Sequence, residues 1–312
     1  MPFDLNLLRV FEALLEEGGV TRAGQRLGLT QSAVSHALNR LRYIAGDPLF
    51  VRGAKGMQPT ARALEIGAKV RLGLAELDRA LEPSSFTPAT TTRRFSLAAS
   101  GYICTVLGPA LLALQRASAP GAEVRITPVS SGLVDALDSG RLDLALGSFG
   151  RTPASYSKAL LFEDEFVWVM REGAAEAPLT LERLAAASHV MVAAVDDPET
   201  GRETVIDQGL ERRVMLGGGD AFQSALAAGG LRRTVGVSVP DGHSALWMVA
   251  RSDMAALAPR RLAAAYAEPL GLSIFTPPHP SPPLEVHMVW RKDRDSPAAA
   301  WLRGLLRKAA AG

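Results

Sequence analysis

The sequence contains few of the residues that form disulfides and zinc sites. Among its 312 residues there are one cysteine and five histidines. The single cysteine, Cys104, cannot form an internal disulfide, and a reducing cytoplasm suits such a chain. Its neighbours Ile103, Thr105 and Val106 favour a buried, unreactive thiol over a redox switch. The histidines lack the spacing of metal ligands with one another and with Cys104, so we expect neither a metal nor a cofactor.

Several kinds of functional segment are also missing. No apolar run approaches the roughly 20 residues that a membrane-spanning helix needs. The N-terminus has an acid at Asp4 and no basic start, so we expect no signal peptide. No G-x-S-x-G elbow occurs, and GGGD at 217–220 lacks the Lys-Ser/Thr of a phosphate loop. These absences predict a cytoplasmic protein that is not an enzyme and has no membrane partner.

The residues that are present indicate several domains and an uneven charge. Hydrophobic residues make up 47% of the chain, which at this length is enough for the cores of two or three domains. Residues 1–63 hold eight Lys and Arg against five Asp and Glu, whereas residues 93–312 hold 23 of each kind. A small basic head on a neutral body fits a DNA-reading module attached to a sensor.

Residues 5–50 predict three helices joined by tight turns. Apolar side chains three and four positions apart give the first helix one buried face. They are Leu7, Leu8, Phe11, Leu14 and Leu15. Thr21 is the expected N-cap of a short second helix that stops at Gly28. A longer third helix is expected to begin near Gln31, and the glycines around LFVR over residues 48–60 predict a two-stranded wing.

The third helix has two unlike faces. Val34, Leu38 and Leu41 point inward, and polar side chains recur on the opposite side. Amides can bridge adenine, hydroxyls suit several base edges and arginine reads guanine or holds phosphate, so this face suits the major groove. The predicted base readers are Gln31, Ser32, Ser35 and His36. The other candidate DNA-binding residues are Thr21, Thr30, Asn39, Arg40, Arg42, Arg52 and Lys55. An ordinary solvated helix face is the alternative.

A long helix is expected over residues 61–81, with Thr60 as its N-cap. Small and apolar residues step along it by four and three, the spacing of helices that pair with a partner helix. They are Ala63, Gly67, Val70, Leu74, Leu77 and Leu81. Packing of the same stripe on its own domain is the alternative, and the position of the helix between two domains favours pairing. A polar linker rich in Pro and Thr follows at 83–92.

After the linker, strand and helix patterns alternate. This alternation predicts a mostly parallel, doubly wound α/β sheet. A second set of strands and helices follows, and the strand LEVHMVWR and a closing helix come near the end. The chain is therefore expected to leave one lobe, build a second and return, which gives two lobes around a hinged cleft suited to a ligand.

One stretch resembles the N-terminal domain of LysR-type transcriptional regulators: LNLLRVFEALLEEGGVTRAGQRLGLTQSAVSHALNRLRYIAGDPLFVRGAKGMQPT. The resemblance is nearly gap-free and includes TQSAVSHALNRLR, PLFVR and PT. It implies an all-α winged helix-turn-helix over 1–60, a linker and dimerisation helix with a hinge over 61–92, and an effector-binding domain over 93–312. The last domain resembles periplasmic solute-binding proteins, and its expected lobes are 93–163 with 269–312, and 164–268.

The same resemblance implies partners. They are double-stranded promoter DNA, a second copy through the linker helix and a homotetramer of two dimers, RNA polymerase, and a small-molecule effector. KGMQPT and PHPSPPLEVHMVWRKDRDSPAAAWLRGLL resemble the subgroup that includes nodulation and naphthalene/salicylate regulators, which implies an aromatic effector. Many relatives have a basic residue in the place of His36, and histidine weakens a fixed salt bridge there.

Effector sites of the family lie at the carboxyl ends of sheet strands. The positions that the resemblance assigns to the effector are Ser100, Gly101, Tyr102, Ser130, Ser131, Phe149, Val195, Asp196 and Asp241. Ordinary capping or loop structure is the alternative at each position. Asp241 stands where the aromatic-acid subgroup has a histidine after VP, and an acid there favours a neutral or basic ligand, or no ligand. Residues 197–220 are extra relative to that subgroup and are expected to reshape or cover the cleft.

A second class of function suits the two-lobed fold on its own. A solute-binding or transport-accessory protein would use the cleft without any DNA output, but the basic head and the missing signal peptide oppose it. An enzyme acting in the cleft would need a nucleophile and a base, and no such pair is found. The sequence leaves open the effector, the operator, the target genes and the sign of regulation.

Overall fold

The computed structural model describes residues 4–53, 56–80, 86–129, 132–192, 204–213 and 220–311. The chain divides into two compact units. The first comprises Met1–Ser84, with Ser139–Arg141 grouped with it, and the second comprises Ser85–Asp138 and Leu142–Gly312.

The described part of the first unit consists of four helices and a two-stranded wing. In chain order they are α1 (Asn6–Glu17), α2 (Val20–Leu27), α3 (Gln31–Ala45), β1 (Phe50–Gly53), β2 (Gly56–Pro59) and α4 (Ala61–Ala80). The first three helices end at Gly18, Gly28 and Gly46, each with the positive φ that glycine adopts without strain. The predicted helices and wing are therefore present. One detail was wrong: α2 begins at Val20, so Thr21 lies in its first turn and is not its N-cap.

The core of the first unit surrounds α1. Phe11 and Leu14 of α1 are fully buried and pack with Val34 and Leu38 of α3, and Phe50 of the wing meets the Phe11 ring edge-on. Burial of a side chain of this size stabilises a fold by roughly 1.5–3 kcal/mol. The contacts fix α3 and the wing on one scaffold.

The predicted pairing stripe of α4 is largely used inside this core. Ala63, Val70 and Leu74 are buried in the same cluster as Phe11, and a side chain at Gly67 would meet Leu15. Assigning these four positions to a partner helix was therefore wrong, because α1 already covers them. Two other leucines of α4, Leu64 and Leu77, are exposed.

The second unit opens with the five-stranded sheet of the first lobe. Its elements are β3 (Arg94–Ala98), α5 (Gly101–Ser118), β4 (Glu123–Thr127), α6 (Leu133–Asp138), β5 (Leu144–Gly147), β6 (Tyr156–Asp164), β14 (Leu284–Arg291) and α11 (Pro297–Ala311). The strand order is β4-β3-β5-β14-β6. β3 is parallel to β4 and β5, as predicted, whereas β14 runs antiparallel to β5 and β6. The returning strand β14 thus lies inside this sheet, between β5 and β6.

In its described residues, the second lobe has two small sheets and four helices. Its elements are β7 (Phe166–Arg171), α7 (Leu181–Ala186), β8 (Ser188–Val192), α8 (Asp220–Ala228), β11 (Thr234–Val239), α9 (Gly242–Val249), β12 (Ala256–Pro259), α10 (Arg260–Leu270) and β13 (Leu272–Phe275). The sheet orders are β11-β8 and β12-β7-β13. The expected boundary at 269 placed β13 in the first lobe, but its hydrogen bonds to β7 place it in the second.

Part of the extra segment at 197–220 forms a hairpin that the sequence did not predict. Its strands are β9 (Thr204–Asp207) and β10 (Leu210–Arg213), which pair antiparallel. Gln208 and Gly209 at its turn have positive φ. Across the described residues, no helix has the length and apolar character needed to cross a membrane.

Candidate nucleic-acid interface and ligand cleft

The α3 helix is held firmly at its start and along its inner side. The Thr30 hydroxyl oxygen accepts a hydrogen bond from the Ala33 amide at 3.1 Å, so Thr30 is the N-cap. Val34, Leu38 and Leu41 are buried. The N-cap and the three buried side chains hold α3 against rotation about its axis. The same residues of α3 therefore always face outward.

The outer side of α3 carries the predicted polar residues together. We call them the α3 polar face: Gln31, Ser32, Ser35, His36, Asn39 and Arg40. All are exposed except Ser35, which is partly buried. Arg40 lies 3.8 Å from the Asp4 carboxylate, a loose surface pair. The face therefore presents amide, hydroxyl, imidazole and guanidinium groups to the solvent, which is the set of donors and acceptors that base edges require.

Arg42 has a structural task that the sequence analysis missed. Its Nε donates to the Pro48 carbonyl at 2.8 Å and its Nη2 to the Phe50 carbonyl at 3.0 Å. Its Nη1 also donates to the Asn39 side-chain oxygen at 3.3 Å. One guanidinium thus ties α3 to the start of the wing. The carbonyls that it binds give no local sequence signal.

The other predicted DNA contacts are placed as follows. Thr21 is exposed on α2. Arg52 lies in β1, opposite Met57 of β2, and its side chain is outside the described part of the structure. Lys55, between the two wing strands, also lies outside the described residues.

Two of the predicted effector residues are buried side chains of the second unit. Tyr102 donates its hydroxyl to Asp164 Oδ2 at 2.6 Å. Burial, and then this hydrogen bond to a carboxylate, raise the pKa of Tyr102 well above its ordinary value. Phe149 packs with Leu133, Leu137 and other buried side chains. Neither ring is exposed to a ligand in this arrangement.

Several predicted effector positions lie at the ends of strands or outside the described part. Ser100 is the N-cap of α5, and its hydroxyl accepts from the Ile103 amide at 3.4 Å. Four more predicted effector residues lie outside the described residues: Ser130, Ser131, Val195 and Asp196.

Gly101 and Asp241 lie at a contact between the lobes, together with Thr105 and His243, which were not among the predicted effector residues. Thr105 of α5 lies with its hydroxyl 2.8 Å from His243 Nε2 of α9. A Cβ at Gly101 would come within 3.0 Å of the His243 ring, and the edge of that ring meets Tyr266 of α10. The two lobes are therefore in close contact at this point.

Asp241 is the N-cap of α9 and lies beside His243 in the same group of residues. Its carboxylate accepts from the Ser244 amide at 2.8 Å and from the Ser244 hydroxyl at 3.0 Å, and it lies 3.6 Å from His243 Nδ1. Burial alone would raise the pKa of Asp241, but the hydrogen bonds from Ser244 and the nearby His243 outweigh it and lower the pKa. The carboxylate is thus held in its charged form.

Two family models match the chain. Residues 5–64 match the model described as bacterial regulatory helix-turn-helix protein, lysR family. Residues 88–218 and 187–311 match the LysR substrate binding domain. The two pieces of the second match overlap in the region of the extra segment.

Similar proteins cover both units. The chain is 34% identical over 308 residues to the HTH-type transcriptional activator NahR of Pseudomonas putida, with 97% of this chain and 96% of that protein covered. It is 31% identical over 316 residues to nodulation protein D 2 of Rhizobium tropici, with 97% and 91% covered.

Solved structures share the fold. The probable transcriptional regulator PA0477 from Pseudomonas aeruginosa superposes with a TM-score of 0.74 at 34% identity, and 97% of this chain and 96% of that one are covered. Full-length CbnR in complex with its target DNA superposes with a TM-score of 0.66 at 18% identity, with 98% and 100% covered. The second likeness concerns the fold alone.

Proposed function

Because the chain belongs to the LysR family of bacterial helix-turn-helix regulatory proteins, we propose that residues 1–60 read promoter DNA and residues 93–312 sense a small molecule. The chain is a DNA-binding transcriptional regulator with an effector-binding domain. Its relatives are named transcriptional regulators, which agrees with the expectation that it is not an enzyme. The comparisons give no support to a solute-binding protein without DNA output.

The α3 polar face enters the major groove in this proposal. Gln31, Ser32, Ser35 and His36 lie in the first half of α3, the half that reaches base edges in helix-turn-helix proteins. Asn39 and Arg40, further along, contact the backbone. The observation that carries this assignment is the position of six polar side chains, five exposed and Ser35 partly buried, on a helix whose other side is anchored by buried Val34, Leu38 and Leu41.

Arg42 positions the wing instead of holding phosphate. Its guanidinium already donates to two wing carbonyls and to Asn39, so few of its donors remain for DNA. Phosphate contacts then come from Thr21, Thr30, Arg52 and Lys55, together with Asn39 and Arg40 of α3. Because each neutralised phosphate releases counterions, binding weakens steeply as the salt concentration rises.

Two copies pair through residues 61–92, and two such dimers form a tetramer that contacts RNA polymerase in the cytoplasm. The exposed Leu64 and Leu77 are the apolar groups of α4 that support pairing. A symmetric dimer presents two α3 helices to half-sites that are one or more helical turns apart, which predicts a palindromic operator.

A small molecule binds between the lobes, near Gly101 and Asp241. Thr105 and His243 join this assignment because their hydrogen bond joins the two lobes. The subgroup resemblance favours an aromatic compound. A ligand that binds one lobe arrangement more tightly than another shifts the population toward it, and so changes the spacing of the DNA-binding heads.

Footprinting tests the proposal directly. Purified full-length protein is incubated with the intergenic DNA beside its own gene, with and without candidate aromatic compounds. Two protected half-sites are expected, and an active compound should change their pattern. Gln31→Ala should weaken protection, whereas Gln25→Ala, which removes an amide from the exposed face of α2, should not. Protection that is uniform along the DNA and insensitive to competitor DNA would refute the proposal.

A further inference from the structure

The β9–β10 hairpin comes from the second lobe in chain order but packs on the first. The strand before it, β8, pairs with β11, and the helix after it, α8, packs with Trp168 and Leu184 of the second lobe. Leu210 of the hairpin, however, is fully buried among first-lobe side chains that include Val134 and Phe149. The hairpin is therefore a piece of the chain between second-lobe elements that packs on the first lobe.

Main-chain hydrogen bonds fasten the hairpin just beyond β5. The Gly150 amide donates to the Glu211 carbonyl, the Glu211 amide to the Arg151 carbonyl, and the Arg213 amide to the Ser148 carbonyl, each at 2.9 Å. This edge carries the carboxyl ends of the parallel strands, where ligands bind in sheets of this kind.

Both acids of the hairpin also occupy main-chain amides of the first lobe. Asp207 Oδ2 accepts from the Val134 amide at 3.1 Å. Glu211 Oε2 accepts from the Arg151 amide at 3.4 Å, and its carboxylate lies directly against Gly150. A free carboxylate ligand would seek the same amide donors, since charged acceptors make the stronger hydrogen bonds.

A cation at this edge adds to its attraction for anions. Lys158 Nζ donates to the Gly150 carbonyl at 2.6 Å and to the Phe149 carbonyl at 3.2 Å. The edge therefore combines amide donors with a fixed positive charge, and two of those amides donate to Asp207 and Glu211 of the hairpin.

We propose that the β9–β10 hairpin is a tethered competitor, whose Asp207 and Glu211 carboxylates occupy the first-lobe amides that a carboxylate effector would use. This inference rests on the proposed function, because it concerns the effector cleft of the regulator. A tethered group has a high effective concentration at its site. A free carboxylate must displace the hairpin acids, so the hairpin sets the ligand concentration that is needed before a carboxylate binds.

Ligand titration of full-length protein tests this inference, with benzoate as the anionic probe and benzamide as the neutral one. D207A/E211A removes both tethered acids and should bind benzoate about tenfold or more tightly than the parent, with benzamide affinity unchanged. D207N/E211Q keeps oxygen acceptors for the two amides, so its benzoate affinity should rise less than that of D207A/E211A. Glu163→Gln is the control: it removes an exposed acid of β6, and its benzoate affinity should equal that of the parent.

Hydrogen exchange supplies a second readout on the same samples. The Val134 and Arg151 amides, which donate to the two carboxylates, should exchange about tenfold faster in D207A/E211A than in the parent, and benzoate should protect them again. Equal benzoate affinity in all variants, no benzoate binding by any of them, or an equal gain for benzamide would overturn the inference. DNA binding of the parent protein is measured in parallel. Absence of promoter preference there would refute the proposed function, whereas the benzoate and exchange results test the hairpin.

Discussion

The hydroxyl of Thr105 lies 2.8 Å from Nε2 of His243, and this hydrogen bond joins a helix of the first lobe to a helix of the second. The two residues are 138 positions apart in the chain. Asp241 faces the other ring nitrogen at 3.6 Å. A ligand that enters here must therefore bind beside a pair that already holds the lobes together, or replace it.

The first prediction concerns this pair. Thr105→Val removes the hydroxyl and leaves the volume almost unchanged, so the effector domain should lose about 1 kcal/mol of unfolding free energy. Thr105→Ser keeps the hydroxyl and should lose less. Urea unfolding of the full chain, followed by fluorescence, measures both. A Thr105→Val protein as stable as the parent would show that the contact contributes nothing.

The second prediction separates Arg42 from Arg40. Arg42→Ala leaves the Pro48 and Phe50 carbonyls without their charged donor, and the head should lose roughly 1.5–3 kcal/mol of unfolding free energy. Arg40→Ala removes an exposed side chain and should leave stability unchanged while lowering the salt dependence of DNA binding by about one counterion. Thermal unfolding and salt titrations measure the two effects. Equal stability of the two variants would contradict the assignment.

The third prediction concerns pairing through α4. Leu64 and Leu77 are 55% and 40% exposed, so Leu64→Lys and Leu77→Lys should raise the dimer dissociation constant without unfolding the head. Two such losses of apolar contact, at roughly 25 cal/mol per Å² of buried surface, should weaken the dimer tenfold or more. Sedimentation velocity measures the change. Leu74→Lys is the comparison, because Leu74 is buried in the head and its loss should unfold it.

Much of the head could be predicted from the sequence because its signals are local. The spacing of Val34, Leu38 and Leu41 defines the inner side of α3, and Thr30 and Gly46 mark its two ends. Once these are known, the polar side follows from helix geometry alone. The family resemblance, and its nodulation and naphthalene/salicylate subgroup, are confirmed by the relatives that the chain matches.

Features that depend on distant contacts could not be predicted. The spacing of Ala63, Val70 and Leu74 is the same whether the partner is another copy or α1, and only the folded head shows that α1 is the partner. The β9–β10 hairpin has four-residue strands, and among their described side chains only Leu210 is fully buried, too short a pattern for a periodic signal. The lobe to which β13 belongs could not be predicted for the same reason, because it depends on the pairing of β13 with β7.

The fourth prediction is a pH dependence that arises from His189. This residue is fully buried against Trp168 and Phe222 and accepts a hydrogen bond from Arg233 Nε at 3.1 Å. Burial, and then the charge of Arg233, lower the pKa of His189 to about 4. Because the folded pKa lies below the unfolded value of about 6.5, the native state holds the neutral ring and the unfolded state takes up a proton first.

The stabilisation from neutral His189 is therefore complete above about pH 6.5 and is lost as the pH falls toward 4. The loss should be on the order of 2–3 kcal/mol. Urea unfolding at pH 7 and at pH 4.5 measures it, and His189→Gln should reduce the difference between the two values. Parallel pH profiles for the parent and His189→Gln proteins would show that this group does not titrate on unfolding.

The most direct test of the central claim compares two DNA fragments of equal length. One carries the protected half-sites, the other a shuffled version, and fluorescence anisotropy at moderate salt gives both affinities for the parent and Gln31→Ala proteins. The account predicts a preference of at least about 10³ for the operator in the parent, and a loss of roughly 1–3 kcal/mol of that preference in Gln31→Ala, with binding to shuffled DNA unchanged. Equal affinity of the parent protein for the two fragments would contradict it.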